Sequence, residues 1–397
     1  MNIQQKIKTL AEKYHGENLE NRHHLHANPE LSFHEYETSK FVQEKLGKIG
    51  IPFQNGVAGT GVVGLIKGKN PEKKTIALRA DMDALPILEA NDVPYKSKNE
   101  GVMHACGHDV HTSSLLGASR ILHELKSDFE GTIKLIFQPA EERHPGGASI
   151  MIKEGVLENP APKSIVGQHV HPLIPVGTVG FRSGLSMASS DEIEIIITGK
   201  GGHGAVPQNC IDPVLISANV LVSLQQVIAR FLDPTIPSVL TFGKIESIGG
   251  VHNVIPNKVR ILGTLRMMNE EWRFKAHEQI KNIVYHTAKA MGGSSEIDIK
   301  VGYPFLINEE KLTARCKNAA EQYLGKENVL DIPMRMTAED FAYFSQITNG
   351  CFYRLGVANA AKGITSSVHT PTFNIDEDAL KIGVGLMSYL AVNELSI

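Results

Sequence analysis

Cys106 and His108 place a thiol and an imidazole two residues apart, with Gly107 between them. Side chains of the same donor types recur downstream, and they are Glu141, Glu142, His169, His171 and His369. Thiolate, imidazole and carboxylate are the ligands that divalent transition metals such as zinc, manganese and cobalt accept. A lone Cys-x-His pair is weak evidence, because buried cysteines and histidines often serve packing alone. Together with the later donors, however, the pair predicts a metallohydrolase.

Two adjacent carboxylates, Glu141 and Glu142, follow the predicted strand Gly131–Phe137. Successive residues of an extended chain point in opposite directions, so the pair is not expected to hold one ion from the same side. We expect one carboxylate to bind metal and the other to stay free beside the reacting water. An isolated Glu-Glu pair is usually a solvated surface feature, but its position after an apolar strand favours a site.

The elements around these donors suggest how they are held. Asp83 follows the predicted strand Thr75–Ala80, where it can accept a hydrogen bond from the far nitrogen of a ligating histidine. The cysteine motif precedes a predicted helix over 109–126 with Asp109 as its cap. The field at such a helix N-terminus favours the thiolate form that a metal ligand needs.

A second histidine pair lies on the predicted strand Ser164–Val170. His169 and His171 share one face of that strand while it stays extended. Pro172 follows at once and is expected to end the extension. We therefore expect only one of the two histidines to reach the metals.

Two further patterns imitate functional sites. The first predicted helix, over 3–28, carries a cluster made of His23, His24 and His26. No acid or thiol completes a coordination set beside them, so a surface or packing role is expected. Gly199–Gly204 matches the dinucleotide-binding pattern GxGxxG, but Pro207 falls where the phosphate-binding helix would form. We interpret these glycines as allowing a close backbone approach that presents His203 from a turn.

Size and charge restrict the function further. The 397 residues exceed the roughly 250–300 at which one core stops growing, which predicts two domains. Lys plus Arg number 40 against 43 Asp plus Glu, without a basic run, so nucleic acid is a poor partner.

The chain start lacks the apolar core of a signal peptide, and no apolar run approaches the ~20 residues that span a bilayer. We expect a cytoplasmic protein that binds no membrane, in which a reducing compartment keeps Cys106 available.

The order of the predicted elements gives an α/β fold with an insertion. Residues 187–295 read strand–helix–strand–strand–helix, which one further strand would complete to the ferredoxin-like α+β pattern. The segment Glu296–Val301 either closes this unit or returns to the first domain. A later helix is expected to start at Thr337. We predict a two-domain protein, with a mixed-sheet catalytic domain from residues 1–186 and 296–397 and an inserted domain between them.

Motifs spread over nearly the whole chain carry a family resemblance. They are His26–Leu31 (HANPEL), Arg79–Pro86 (RADMDALP), Met103–His108 (MHACGH), Phe137–Glu142 (FQPAEE), Gly199–Pro207 (GKGGHGAVP), Asn253–Pro256 (NVIP), Gly263–Arg266 (GTLR), Ala338–Phe341 (AEDF) and His369. In this order they resemble the M20 metallopeptidase family, and within it the amidohydrolase branch that acts on N-acyl amino acids.

This resemblance implies a site with two divalent ions, of zinc, manganese, cobalt or nickel. Cys106 matches the bridging ligand, and the remaining ligands match His108, Glu142, His169 and His369. Glu141 matches the general base. The inserted domain matches a lid that also forms a homodimer, His203 matches its histidine that reaches a substrate oxygen, and Asn253 and Arg266 match lid positions near the substrate.

The implied activity is hydrolysis of the amide bond that joins an acyl group to an amino acid. A dipeptidase, or a deacetylase of an intermediate such as N-acetyl-diaminopimelate, would use the same chemistry with another pocket. A binding protein that kept the fold without catalysis is a third alternative. It predicts loss of ligands or base, whereas every expected donor is present.

Overall fold

The computed structural model describes all 397 residues, which form two compact units. The first unit holds residues 1–186, 307–333 and 340–397, and the second holds 187–306 and 334–339. The predicted boundary after residue 295 falls inside the strand Ser294–Val301, which pairs with Asp191–Thr198 and so closes the inserted unit. The predicted metal ligands and the predicted base all belong to the first unit; they are Cys106, His108, Glu141, Glu142, His169 and His369.

An eight-stranded mixed sheet forms the centre of the first unit. In sheet order its strands are Phe53–Val57, Gly61–Lys67, Thr132–Gln138, Thr75–Asp81, Ser164–Pro175, Asn349–Ala358, Val179–Phe181 and Val329–Asp331. The third to sixth strands run parallel to one another, whereas the first two pair antiparallel. Every residue of the third and fourth strands is buried, as is typical of parallel strands covered on both faces.

Helices surround this sheet. They are Ile3–Lys13, His15–Ala27, Tyr36–Ile49, His108–Glu124, Gly147–Lys153, Glu310–Leu324, Phe341–Ser345 and Asp378–Leu395. The helix expected over 3–28 is interrupted at Tyr14, and the one expected from Thr337 begins at Phe341. The expected N-cap Asp109 is also wrong, because Gly107 occupies that position and Asp109 lies in the first turn of the helix.

The parallel strands bring the polar segments of the sequence to one edge of the sheet. Thr75–Asp81 and Thr132–Gln138 end in register at Asp81 and Gln138, and Asp83 and the two acids follow directly. Carboxyl ends of parallel strands are where α/β folds build sites. The neighbouring strand Ser164–Pro175 does not stop at Pro172 as expected but continues three residues further.

The second unit has the predicted ferredoxin-like fold. Its antiparallel sheet has the order Ser238–Ile248, Lys258–Met267, Asp191–Thr198 and Ser294–Val301, with helices Pro213–Gln226 and Glu270–Ala290. Ile193, Ile195 and Ile197 alternate into its core, and the residues between them, Glu194 and Ile196, are only partly buried. Two short strands of this unit are Gly202–His203 and Val254–Ile255. Two others, Gly184–Met187 and Leu306–Asn308, lie where the chain crosses from one unit to the other.

The glycine-rich segment of this unit is not a nucleotide loop. It leads into the short strand Gly202–His203 and a single 3-10 turn, Pro207–Asn209, instead of a long helix. A Cβ atom on Gly199 would lie 2.1 Å from the backbone oxygen of Ile211, so a close backbone approach requires glycine there.

One helix contradicts the expectation that no segment is long and apolar enough to cross a membrane. Pro213–Phe231 meets that criterion by length and composition. A single such helix is weak evidence for membrane insertion, because helices of soluble proteins pass the same test. Here Ile216, Val220 and Leu224 pack into the core of the second unit.

The histidines of the second helix take structural roles in ion pairs and stacking. His26 is buried, with Nδ1 2.8 Å from Asp109 Oδ2 and Nε2 3.0 Å from Glu89 Oε1. Arg22 Nε donates to the same Asp109 oxygen at 2.9 Å. Burial opposes charge on His26, but the two carboxylates outweigh it and raise the pKa of His26. His24, by contrast, stacks on Phe41, and burial together with Lys45 and Lys98 lowers its pKa.

We predict that the stability contributed by His26 depends on pH. Because its folded pKa is raised above the unfolded value of about 6.5, the contribution is present below that pH and is lost as the pH rises through the folded pKa. His26→Leu should lower the free energy of unfolding of chelator-treated protein by about 3 kcal/mol at pH 6 and by clearly less at pH 9, measured in urea. His24→Leu serves as control and should show no such trend; equal His26→Leu losses at both pH values would contradict the prediction.

Candidate metal centre

Two groups of potential ligand atoms lie at the strand ends of the first unit, and both contain the Cys106 thiol. One consists of Cys106, His108 and His169, and the other of Cys106, Glu142 and His369. Within each group the ligand atoms lie within 4.8 Å of one another. The structure thus brings the five expected ligands together, with the thiol as the shared donor. This arrangement suits two cations bridged by one sulfur.

His108 is oriented by a carboxylate on its far side. Its Nδ1 lies 3.1 Å from Asp83 Oδ1, and the buried Nε2 has no hydrogen-bond partner. Asp83 Oδ2 also accepts the Ser32 hydroxyl at 2.6 Å and the Glu142 N–H at 3.0 Å. Burial disfavours charge on His108, but Asp81 and Asp83 raise its pKa to about 10. An orphaned buried nitrogen amid carboxylates fits a site for a cation.

His169 and His369 present their ligand atoms by different means. His169 Nδ1 donates to the Val170 carbonyl at 2.7 Å, which leaves Nε2 as the lone-pair atom, 3.5 Å from Cys106 Sγ. Burial and the nearby Arg354 guanidinium lower the pKa of His169 well below its usual value, so the ring is neutral as a ligand must be. The backbone N–H of His369 donates to the Ala105 carbonyl at 2.8 Å, and its Nε2 lies 3.2 Å from Glu142 Oε1. His171 belongs to neither group.

The thiol does not have the low pKa that its position before a helix suggested. Burial and the carboxylates of Glu142 and Glu141 raise the pKa of Cys106 well above its ordinary value. The helix field is therefore outweighed, and the sequence-based expectation is wrong. Only added positive charge beside the sulfur would favour the thiolate.

Glu141 and Glu142 do not point to opposite sides, as was expected for an extended chain. They lie beyond the strand end Gln138, and an oxygen of each lies within 4.8 Å of the other and of a ring nitrogen of His108. The Glu142 carboxylate joins the thiol and His369, whereas the buried Glu141 lies in a group with His108 and Glu142 and in neither of the groups that contain the thiol. The backbone N–H of Asp340 donates to Glu141 Oε1 at 3.3 Å.

A buried ionic chain behind the site was not found from the sequence. Arg79 donates to Asp81 Oδ2 at 2.7 Å and to Asp340 Oδ1 at 2.8 Å. Asp81 Oδ1 accepts from His111 Nδ1 at 2.6 Å, and His111 Nε2 accepts the backbone N–H of Val170 at 2.9 Å. The chain thereby fixes the backbone next to His169. The spacing of His108 and His111, one helical turn apart, was the available signal.

The remaining predicted residues lie in the second unit. His203 is exposed on the short strand that pairs with Val254, and its Nδ1 accepts the Ala205 N–H at 3.1 Å. Asn253 is adjacent, with its carbonyl accepting the Gly204 N–H at 2.9 Å. Arg266 lies on the strand Lys258–Met267, where burial lowers its pKa.

Comparison with known proteins decides the family. The pattern of peptidase family M20/M25/M40 matches residues 77–393. The chain belongs to this family. It is 40% identical over 379 residues to the IAA-amino acid hydrolase ILR1-like 4 of Arabidopsis thaliana, with 94% of this chain and 84% of the relative covered. It is 39% identical to the N-acetyl-L-cysteine deacetylase of Bacillus subtilis, covering 90% and 83% of the two chains.

A solved structure agrees with this assignment. The YXEP protein of Bacillus subtilis, described as a dinuclear metal-binding peptidase of the M20 family, has a TM-score of 0.81 and 32% identity, covering 97% of this chain and 99% of that one. The M20 member described here is therefore a hydrolase of amide bonds with the two-domain fold of its family. Its donor groups fit two divalent ions.

We predict that the two ions respond differently to loss of one ligand. Because Cys106 belongs to both donor groups, Cys106→Ala should lose both ions on dialysis, whereas His369→Ala should retain one ion in the group of His108 and His169. Metal content per chain, measured by mass spectrometry, distinguishes the variants. Retention of two ions by Cys106→Ala would contradict a shared thiol.

Gly107 gives a second prediction. Its φ is +82°, and a Cβ there would lie 2.5 Å from Val170 Cγ2. Gly107→Ala should therefore displace the neighbouring ligands and weaken metal binding at least tenfold by isothermal titration. Gly101→Ala is the matched control, because Gly101 has φ +78° and nothing within 4 Å of a Cβ. If both variants lost metal affinity to a similar degree, backbone strain alone would explain the effect, and the contact with Val170 would not.

Proposed function

We propose that the protein hydrolyses N-acyl amino acids to a carboxylic acid and a free amino acid. The observation that carries this proposal is the arrangement of two donor groups around one thiol, with the Glu141 carboxylate outside both groups and next to His108 and Glu142. Two relatives whose names describe hydrolysis of amino-acid conjugates support the substrate class. A dipeptidase or a deacetylase of an acylated intermediate is the alternative within the same chemistry.

The five donors would hold the ions: Cys106 between them, His108 and His169 at one, Glu142 and His369 at the other. Bound divalent ions polarise a carbonyl and lower the pKa of water. Thiolate and imidazole ligands suit zinc, while manganese, cobalt and nickel are the other candidates. A thiolate ligand is also consistent with a reducing compartment such as the cytoplasm.

Glu141 is assigned as general base. Its carboxylate would take a proton from the attacking water and return it to the leaving nitrogen, a role typically worth about 10²–10⁴ in rate. The Asp340 N–H orients one of its oxygens, and burial excludes bulk water from it. Asp83 is assigned to orient His108 through the 3.1 Å contact.

The second unit is assigned as lid. Because Ala205 N–H donates to His203 Nδ1, a neutral His203 carries its proton on the exposed Nε2, where it can donate to a developing oxyanion. Asn253 and Arg266 are assigned to substrate contacts. The unit also exposes apolar side chains, with Val222 75% and Ile245 52% accessible, which supports a homodimer formed through the lid.

Glu141→Gln is predicted to keep both ions and to lower kcat by at least 10²-fold, because the amide is nearly isosteric but accepts no proton. The activity is measured on a panel of N-acetyl amino acids, hippurate, an auxin conjugate and dipeptides. Faster turnover of acyl amino acids than of dipeptides is expected for the wild type. A near-normal rate for Glu141→Gln would refute the assignment, and tight binding of the panel without turnover would favour the binding-protein alternative.

A further inference from the structure

The backbone directly before the two acids is held in an unusual conformation. Ala140 has φ +51°, in the left-handed region that residues with a Cβ rarely adopt. It lies two residues after the strand end Gln138, so its conformation sets the directions in which Glu141 and Glu142 leave the strand. Strained residues of this kind persist only where the surroundings enforce them.

One buried carboxylate enforces this turn. Glu35 is fully buried, and its Oε1 accepts the backbone N–H of Ala140 at 2.9 Å. The same oxygen accepts the N–H of Phe33 at 2.9 Å, and Phe33 also has a left-handed φ of +68°. Oε2 accepts the Thr60 hydroxyl at 2.7 Å. Glu35 thus joins two left-handed residues from separate parts of the chain through a single oxygen.

The opposite side of the turn is held as well. The Gly147 N–H donates to the Ala140 carbonyl at 2.9 Å, so both backbone polar groups of residue 140 are fixed. Burial and the neighbouring Asp83 carboxylate raise the pKa of Glu35, which makes a charge there costly without its three donors. A charged acceptor binds N–H groups about twice as strongly as a neutral one, which suits the enforcement of strain.

We propose that Glu35 is a positioning residue for amide hydrolysis. It keeps Ala140 left-handed, and residue 140 in turn directs Glu141 to the reacting water and Glu142 to the metal group. Glu35 itself bonds backbone N–H groups and a hydroxyl, so it acts through the turn and not on the substrate. The proposal rests on the proposed function, in which Glu141 is the base.

The first test compares three variants at position 35 and one control. Glu35→Leu should lower kcat at least tenfold, with KM within twofold, when the assay contains saturating metal. Glu35→Gln, whose carbonyl can still accept both N–H groups, should recover most of that loss. Glu309→Leu is the matched control, because Glu309 also accepts two backbone N–H groups, at the start of Glu310–Leu324; it should lower stability and leave kcat unchanged. Glu35→Asp keeps the negative charge, but its shorter side chain moves the carboxylate away from the two N–H groups. This variant replaces Glu35→Leu in the test if Glu35→Leu does not fold.

The second test is a rescue that a merely stabilising role would not show. Glycine adopts positive φ without strain, so Ala140→Gly in the Glu35→Leu or Glu35→Asp background should raise kcat at least threefold. A double variant no faster than its parent, or Glu35 variants with kcat within twofold of wild type, would overturn the proposal. Activity in Glu141→Gln would instead overturn the proposed function, so the two failures are distinguishable.

Discussion

The concentration of buried negative charge at one sheet edge constrains everything else in the first unit. Asp81 and Asp83 are fully buried, Glu141 is nearly so, and the thiol beside them must lose a proton to bind metal. An unpaired buried carboxylate costs several kcal/mol, so such a cluster is stable only where cations enter it. Arg79 supplies one by pairing with Asp81 and Asp340. His108 lies against both aspartates, and divalent ions in the donor groups would add further positive charge, which would couple metal binding to the stability of the fold.

The fold brings the charged and metal-binding side chains to one edge of the sheet. The parallel strands deliver the carboxylates to one edge, while the loop before the helix His108–Glu124 delivers the thiol and an imidazole. The left-handed turn at Ala140 ends the extended chain just before Glu141 and Glu142, and both carboxylates then lie among the donor groups.

Many secondary-structure elements and the donor residues could be predicted from the sequence, because they depend on local patterns. The order of strands and helices in the inserted unit is encoded by short segments, and the strand Asp191–Thr198 and the helix Pro213–Gln226 follow the predicted order. The donors could be named because their side-chain chemistry is restrictive. The prediction that the strand ends at Pro172 was wrong. The strand continues because it pairs with Asn349–Ala358, which is far away in sequence and is not visible in the local pattern. Asp109 was misjudged for the same reason, because Arg22 and His26 from another helix pair with it.

The order of segments along the chain has a consequence for biosynthesis. The strand Ser164–Pro175 emerges from the ribosome long before its parallel neighbour Asn349–Ala358, with the complete inserted unit made in between. The nascent chain therefore carries an open sheet edge while the inserted unit is being made, a state in which chaperone protection against aggregation is valuable. The last donor, His369, arrives later still. The donor group of Cys106, His108 and His169 is therefore complete well before the group that needs His369.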